Sequence, residues 1–225
     1  MGEWIRLRAS DGHELDAYKA APEGAPRAGV VVCQEVFGVN GHIREVTDGF
    51  AAEGYLAVAP ALFDRVERGV VLDYGADDLD RGRGLRAAVE WDDAASDVEA
   101  AVNAIRAELG AEAAVGVVGY CWGGSVAWLA GCRLPVQAAV GYYGGQIYEL
   151  SDESPRCPVM LHWGEEDPIV DLSQVEEIRA EHPEVIDYTY PAGHGFNCDR
   201  REDYDEDSAV LARTRTLAFL ADHLG

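Results

Sequence analysis

The sequence predicts an α/β fold: a mostly parallel sheet with helices on both faces and two antiparallel strands at its N-terminal edge. Three observations predict it. Short, wholly apolar runs at 29–33 and 115–118 alternate with stretches of helical spacing, as expected of strands buried on both faces. The opening residues instead alternate polar and apolar side chains about an Asp11-Gly12 pair, the mark of a hairpin with one wet face. The chain of 225 residues, 48% hydrophobic and 26% charged, has a globular composition and is long enough to bury one core without disulfides. It contains no internal repeat, low-complexity tract or linker, so 1–225 is expected to form a single domain.

The elements follow in order. Residues 4–8 and 13–21 form the hairpin, and 29–33 the first fully buried strand. Helical spacing covers 42–53, and the strand at 55–59 is closed by Pro60. Residues 62–90 are irregular, rich in glycine and charge, with room for one short helix. An excursion of that length in an α/β fold often shapes a pocket. Val98, Val102, Ile105 and Leu109 lie at helical intervals within 94–109. The remaining chain reads as strand 115–118, helix 122–131, strands 138–142 and 157–162, helix 171–181, strand 186–190 and helix 208–223.

Asp and Glu number 41 against 18 Lys and Arg, a formal charge of -23. Such a chain repels nucleic acid and anionic membrane over most of its surface, so a small molecule is the expected partner. Lys19 is the sole lysine; an arginine-rich composition and adaptation to high salt, which screens self-repulsion, both account for this. The start lacks a basic stretch followed by an apolar run, and the apolar runs are too short to span a bilayer. The five cysteines are odd in number and lack metal-cluster spacing. Free thiols in a cytoplasmic compartment, with no metal or cofactor, are therefore expected.

Gly119-Tyr120-Cys121-Trp122-Gly123-Gly124 joins a predicted strand to a predicted helix. Small residues at 119 and 123 allow a sharp strand-to-helix turn that projects Cys121, with the helix N-terminus favouring a thiolate. A buried structural cysteine in a glycine-rich turn is the alternative. Asp167 follows one later strand and His194 another. The order nucleophile, acid, histidine is that of α/β-hydrolases, in which the histidine manages the thiol proton and the acid fixes its tautomer. Glu166 is a second candidate for the acid. His162, inside a strand, and His182, before Pro183, suit the histidine role less well.

These residues resemble the dienelactone hydrolase family. The resemblance extends to Gln34-Glu35-Val36-Phe37-Gly38-Val39-Asn40 with Arg44-Glu45, to Gly141-Tyr142-Tyr143-Gly144, to His162-Trp163-Gly164-Glu165-Glu166-Asp167-Pro168 and to Ala192-Gly193-His194-Gly195-Phe196-Asn197, in the family's order. It implies an α/β-hydrolase fold and a Cys121-His194-Asp167 triad. It implies that Glu35 takes part in a substrate-dependent switch that deprotonates the thiol. The amides of Val36 and Trp122 would form the oxyanion hole, and Arg65 would bind a substrate carboxylate. Phe37 is a candidate for the pocket wall. The family's dienelactone-hydrolysing members carry a second arginine four residues after the histidine, and this chain has Cys198 there. Arg200 or Arg201 would have to substitute from the same loop. The expected activity is cysteine-dependent hydrolysis of small lactones, dienelactone to maleylacetate first. Broad carboxylesterase activity and a non-catalytic binding scaffold are the alternatives. Thiol redox chemistry is disfavoured because there is no Cys-x-x-Cys pair.

Overall fold

The structure is a computed structural model and describes residues 2–225. Strands β1 (Glu3–Arg8) and β2 (Glu14–Ala20) form the expected antiparallel hairpin. Then come β3 (Ala28–Cys33), α1 (Gly41–Ala52), β4 (Tyr55–Pro60), α2 (Ala76–Ala87) and α3 (Trp91–Leu109). The second half holds β5 (Val115–Tyr120), α4 (Trp122–Arg133), β6 (Ala138–Tyr142), β7 (Val159–Gly164), α5 (Leu172–Glu181), β8 (Ile186–Tyr190) and α6 (Glu206–Leu224). The eight strands lie in the order β1-β2-β4-β3-β5-β6-β7-β8, parallel from β4 onward.

Strand periodicity divides the core. Val31 and Val117 face Val98, Val102 and Val126 of α3 and α4, whereas Val30, Val32 and Val118 face Ile43, Phe50, Phe219 and Leu220 of α1 and α6. A third cluster packs Val175 and Ile178 of α5 with Trp128, Leu161 and Trp163. Cys33 pairs with Gly119, and Tyr120 with Tyr142. The carboxyl ends of β3, β5 and β6 are therefore level, and the residues after them meet at one sheet edge.

The irregular stretch differs most from expectation. It contains α2, a helix of 12 residues in which only Gly82 and Leu85 are buried. A helix that is polar all round has no apolar stripe to betray it; Asp77 and Asp78 in its first turn and Arg86 in its last suit the helix dipole. Helix α3 begins at Trp91, earlier than its apolar spacing, because Asp92 and Asp93 supply a favourable first turn. Strand β7 begins after Pro158 and runs to Gly164.

Arg65 overturns its expected role. It ends a 3-10 turn, Leu62–Arg65, and its Nε and Nη2 donate to Asp97 Oδ2 and Oδ1 at 3.0 and 2.7 Å. Its Nη1 pairs with Asp11 in the hairpin turn and lies 3.4 Å from Asp93. Asp97 is fully buried. Burial raises its pKa and the Arg65 charge opposes that rise. Arg65 thus ties the hairpin turn to α3 through a buried ion pair. Removing one partner of such a pair strands the other charge, at a cost of about 3 kcal/mol. Arg65→Ala should lower the free energy of urea unfolding by about that much; a stability equal to wild type would refute this role.

Candidate active site

The strand-to-helix turn at Cys121 is built by close backbone approach. A Cβ on residue 119 would lie 1.8 Å from the Gly123 carbonyl oxygen, and one on residue 123 would lie 2.4 Å from that of Cys33. With glycine at both places, β5 turns into α4 directly against the end of β3. Cys121 takes φ 54° and ψ -122° at the apex. Its N–H donates to the Tyr142 carbonyl at 3.0 Å, and its carbonyl accepts from Gly124 N–H at 2.8 Å. The left-handed backbone turns the thiol outward, partly exposed.

The loops after β7 and β8 bring the other two residues to it. His194 Nε2 lies 3.2 Å from Cys121 Sγ, and His194 Nδ1 lies 2.8 Å from Asp167 Oδ2. Asp167 Oδ1 accepts from the amides of Ile169 and Val170 at 2.7 and 3.2 Å, so the carboxylate is held from behind. Both Asp167 and His194 are buried. Glu166, by contrast, is exposed and bonds only through its backbone to Ala192. His162 bonds Tyr190 and Thr216 inside the core, where burial and the Arg215 charge push it down to about 3. His182 meets the Ser151 carbonyl beside Trp128. Neither histidine reaches the thiol's loop cluster.

Glu35 lies behind the turn, with no solvent exposure. Its Oε2 accepts from the Tyr74 hydroxyl at 3.3 Å, and Arg201 Nη1 stands 3.5 Å from its Oε1. Burial works against the Arg201 charge, but the charges of Glu35 and then Cys121 hold its pKa above the ordinary arginine value. The amide N–H groups of Val36 and Trp122 have no protein acceptor among the described residues, and both residues line the cleft over Cys121.

That cleft has a volume of about 280 Å³. Its apolar wall includes Val36, Leu79, Trp122 and Ile169; its cationic side carries Arg83 and Arg86 from α2 and Arg201 from the histidine loop. The three expected substrate-binding residues sit elsewhere. Arg65 is locked in the aspartate cluster described above. Arg200 is half exposed and spans both oxygens of Glu45 at 2.8 Å. Phe37 lies beneath the site, packed on Tyr74 with the Arg201 guanidinium 5.9 Å above its ring. Arg201, the other arginine of that loop, is the one that reaches the cleft. The sequence leaves room for a short helix in 62–90, but no apolar periodicity there places Arg83 and Arg86 on it. Their spacing of three places both on one helix face once the helix is known.

His194 carries a pH signature. Burial pushes its pKa down, but the charge of Cys121, with hydrogen bonds donated by the ring to Asp167 and Cys121, raises it to about 10. An unfolded histidine titrates near 6.5. The stability from this raised pKa is therefore full below about pH 6.5 and is lost as pH rises through about 10. An NMR titration of the His194 Hε1 resonance should show a midpoint near 10. In Cys121→Ser that midpoint should fall by about one pH unit or more, because the sulfur charge is gone. An unchanged midpoint would remove Cys121 as the cause.

With this geometry in place, the comparisons with known proteins are unambiguous. The Dienelactone hydrolase family matches residues 15–224. Carboxymethylenebutenolidases of Pseudomonas putida and Pseudomonas knackmussii are each 33% identical over 229 residues, covering 98% of this chain and 97% of theirs. A crystal structure from Klebsiella pneumoniae, provisionally named a dienelactone hydrolase, superposes with a TM-score of 0.85 at 28% identity, covering 98% of this chain and 99% of that one. Among the described residues no helix is long and apolar enough to cross a membrane. The chain belongs to the dienelactone hydrolase family, carboxylic ester hydrolases of the α/β-hydrolase superfamily.

Proposed function

We propose that this chain hydrolyses small lactones bearing a carboxylate, with dienelactone (4-carboxymethylenebut-2-en-4-olide) opened to maleylacetate as the first substrate to test. The observation that carries this reading is the convergence of Arg83, Arg86 and Arg201 on a cleft that also holds Cys121 and His194, in a chain whose net charge is -23. Arg83 pairs with Asp80 at 3.7 Å, and Arg201 with Glu35 and Asp203 at 3.5 and 3.8 Å. A small anion would compete with these carboxylates for two guanidinium groups and meet the third, Arg86, over the Trp91 ring. Guanidinium groups match a carboxylate in shape as well as charge.

The geometry supports the following steps. The Cys121 sulfur attacks the lactone carbonyl carbon, and the carbonyl oxygen takes the negative charge beside the amides of Val36 and Trp122. The ring C–O bond breaks, leaving a thioester on Cys121 and an enolate on the opened chain. His194, oriented by Asp167, holds or returns the proton. Water, deprotonated by His194 or by the enolate, attacks the thioester, and the C–S bond breaks to restore the thiol. An incoming carboxylate on Arg201 competes with Glu35 for that guanidinium, which frees Glu35 to act toward the thiol. Side chains, amides and water supply every group these steps use.

The test is the hydrolysis rate of cis- and trans-dienelactone beside an uncharged p-nitrophenyl ester, with Cys121→Ala as blank. The expectation is Cys121-dependent turnover of the lactone, falling roughly a thousandfold or more in the blank. Arg83→Gln with Arg86→Gln should raise KM for dienelactone about tenfold, equivalent to about 1.4 kcal/mol, and leave the uncharged ester within about threefold. Turnover of the ester alone would replace the anionic substrate by a neutral one. Equal rates for both substrates in wild type and Cys121→Ala would overturn the cysteine mechanism.

A further inference from the structure

Behind the catalytic turn, three donors of different chemistry face one another. A carboxylate oxygen of Glu35, a ring nitrogen of His42 and the sulfur of Cys198 all lie within 4.8 Å of one another, and all three residues are buried. Among the described residues, one of them carries an atom with neither a hydrogen bond nor an ion pair, and a second an atom whose one partner is a guanidinium at 3.5 Å, that of Arg201. Glu35 Oε1 and His42 Nε2 are each shielded from solvent and make no hydrogen bond. An unpaired buried polar group costs roughly 1–3 kcal/mol, so an unpaired imidazole nitrogen on a residue of this three-donor cluster points to an occupant there.

The surroundings of His42 identify the occupant's class. Its Nδ1 faces Asp199 Oδ1 at 3.5 Å, with Asp199 itself about half exposed. A carboxylate on one ring nitrogen, with the second nitrogen buried and free of any hydrogen bond, is the arrangement that orients a metal-ligating histidine. Sulfur, imidazole and carboxylate together suit Zn²⁺, with bonds of about 2.3, 2.0 and 2.0 Å. Such bonds put donor atoms roughly 3.3–3.8 Å apart, so the side chains must close by about 1 Å. The Cys198 thiol loses its proton to water as the S–Zn bond forms. Arg201, 3.5 Å from Glu35, is the competing cation.

We propose that Glu35, His42 and Cys198 form a three-donor site for Zn²⁺ beneath the active cleft, with a fourth position left to water. An ion there takes Glu35 from Arg201 and holds the carboxylate away from the thiol. Zn²⁺ would then act as an inhibitor; this consequence alone rests on the hydrolase reading.

The test uses tag-free full-length Cys121→Ser, which removes the Cys121–His194 pair as a rival ligand set. Titration with Co²⁺ should give a thiolate-to-cobalt charge-transfer band in the near ultraviolet, saturating at one ion per chain and displaced by Zn²⁺. The band should vanish when Cys198→Ser is added, and affinity should fall at least about tenfold with His42→Gln. Circular dichroism checks that these variants are folded. Zinc absorption-edge spectroscopy of the parent Cys121→Ser protein reads the donors without altering them, and one sulfur with nitrogen and oxygen neighbours is expected. No band, a band that survives loss of Cys198, or a metal shell without sulfur would overturn the site. In the wild type, Zn²⁺ inhibition should weaken at least about tenfold with His42→Gln. Equal inhibition in both would place the inhibitory ion on the catalytic pair and refute the regulatory role, while leaving the hydrolase reading intact.

Discussion

Cys121 is held at φ 54° and ψ -122°, a state that costs a residue with a side chain roughly 1–3 kcal/mol. The rest of the site depends on that strained residue. The strain persists because the turn is gripped on three sides: by the Tyr142 carbonyl on its N–H, by Gly119 against Gly123, and by Gly123 against the carbonyls of Cys33 and Gln34. These contacts place the ends of β3, β5 and β6 in one plane. Glu35 and Val36 then follow β3 within reach of the thiol, and Trp122 presents its free amide as the first residue of α4. A relaxed turn would aim the sulfur along the strand and leave the His194 nitrogen without its 3.2 Å contact.

Electrostatics act within this frame. A buried Glu35 beside a thiol opposes the thiolate, and burial of a carboxylate is costly unless a cation or donors meet it. Arg201 and the Tyr74 hydroxyl meet Glu35 from the cleft side. The remaining donors near it are Cys198 and His42. Burial, then Glu35 itself, push the Cys198 thiol up to about 12. At neutral pH and without an ion, that thiol is protonated and offers Glu35 no charge. Among the described residues Arg201 is the guanidinium paired with Glu35, so a group that engages Arg201 competes with that carboxylate.

Much of this was legible in the sequence because the informative residues sit where chain geometry is regular. Uniformly apolar strands disclosed the parallel sheet, and a nucleophile, an acid and a histidine each stood just past a strand. Register then brought Cys121, His194 and Asp167 together. The substrate side was less legible for a physical reason. Arg65 follows a strand and lies in a suggestive context, yet its destination was set by Asp11, Asp93 and Asp97, which are remote in sequence. Arg200 and Arg201 are adjacent, and the local turn alone decides that one pairs outward with Glu45 and the other inward with Glu35. Helix α2 has no periodicity to read, since it is fixed by its ends and by two buried positions.

Those two positions link recognition to chemistry. A Cβ on Gly82 would lie 2.0 Å from the carbonyl oxygen of Val36, so α2 rests its backbone directly on the residue whose amide faces the cleft. Leu85, the other anchor, belongs to the core that includes Val36, Phe63 and Trp122, and Phe63 stacks on Trp122 at 5.3 Å. Arg83 and Arg86 lie on the same turn of helix as these anchors. The helix that supplies positive charge to the cleft therefore rests directly on Val36 and shares one core cluster with Phe63 and Trp122. A polar, weakly buried helix holds its place here through two buried positions, one against the Val36 carbonyl and one in the core under the cleft.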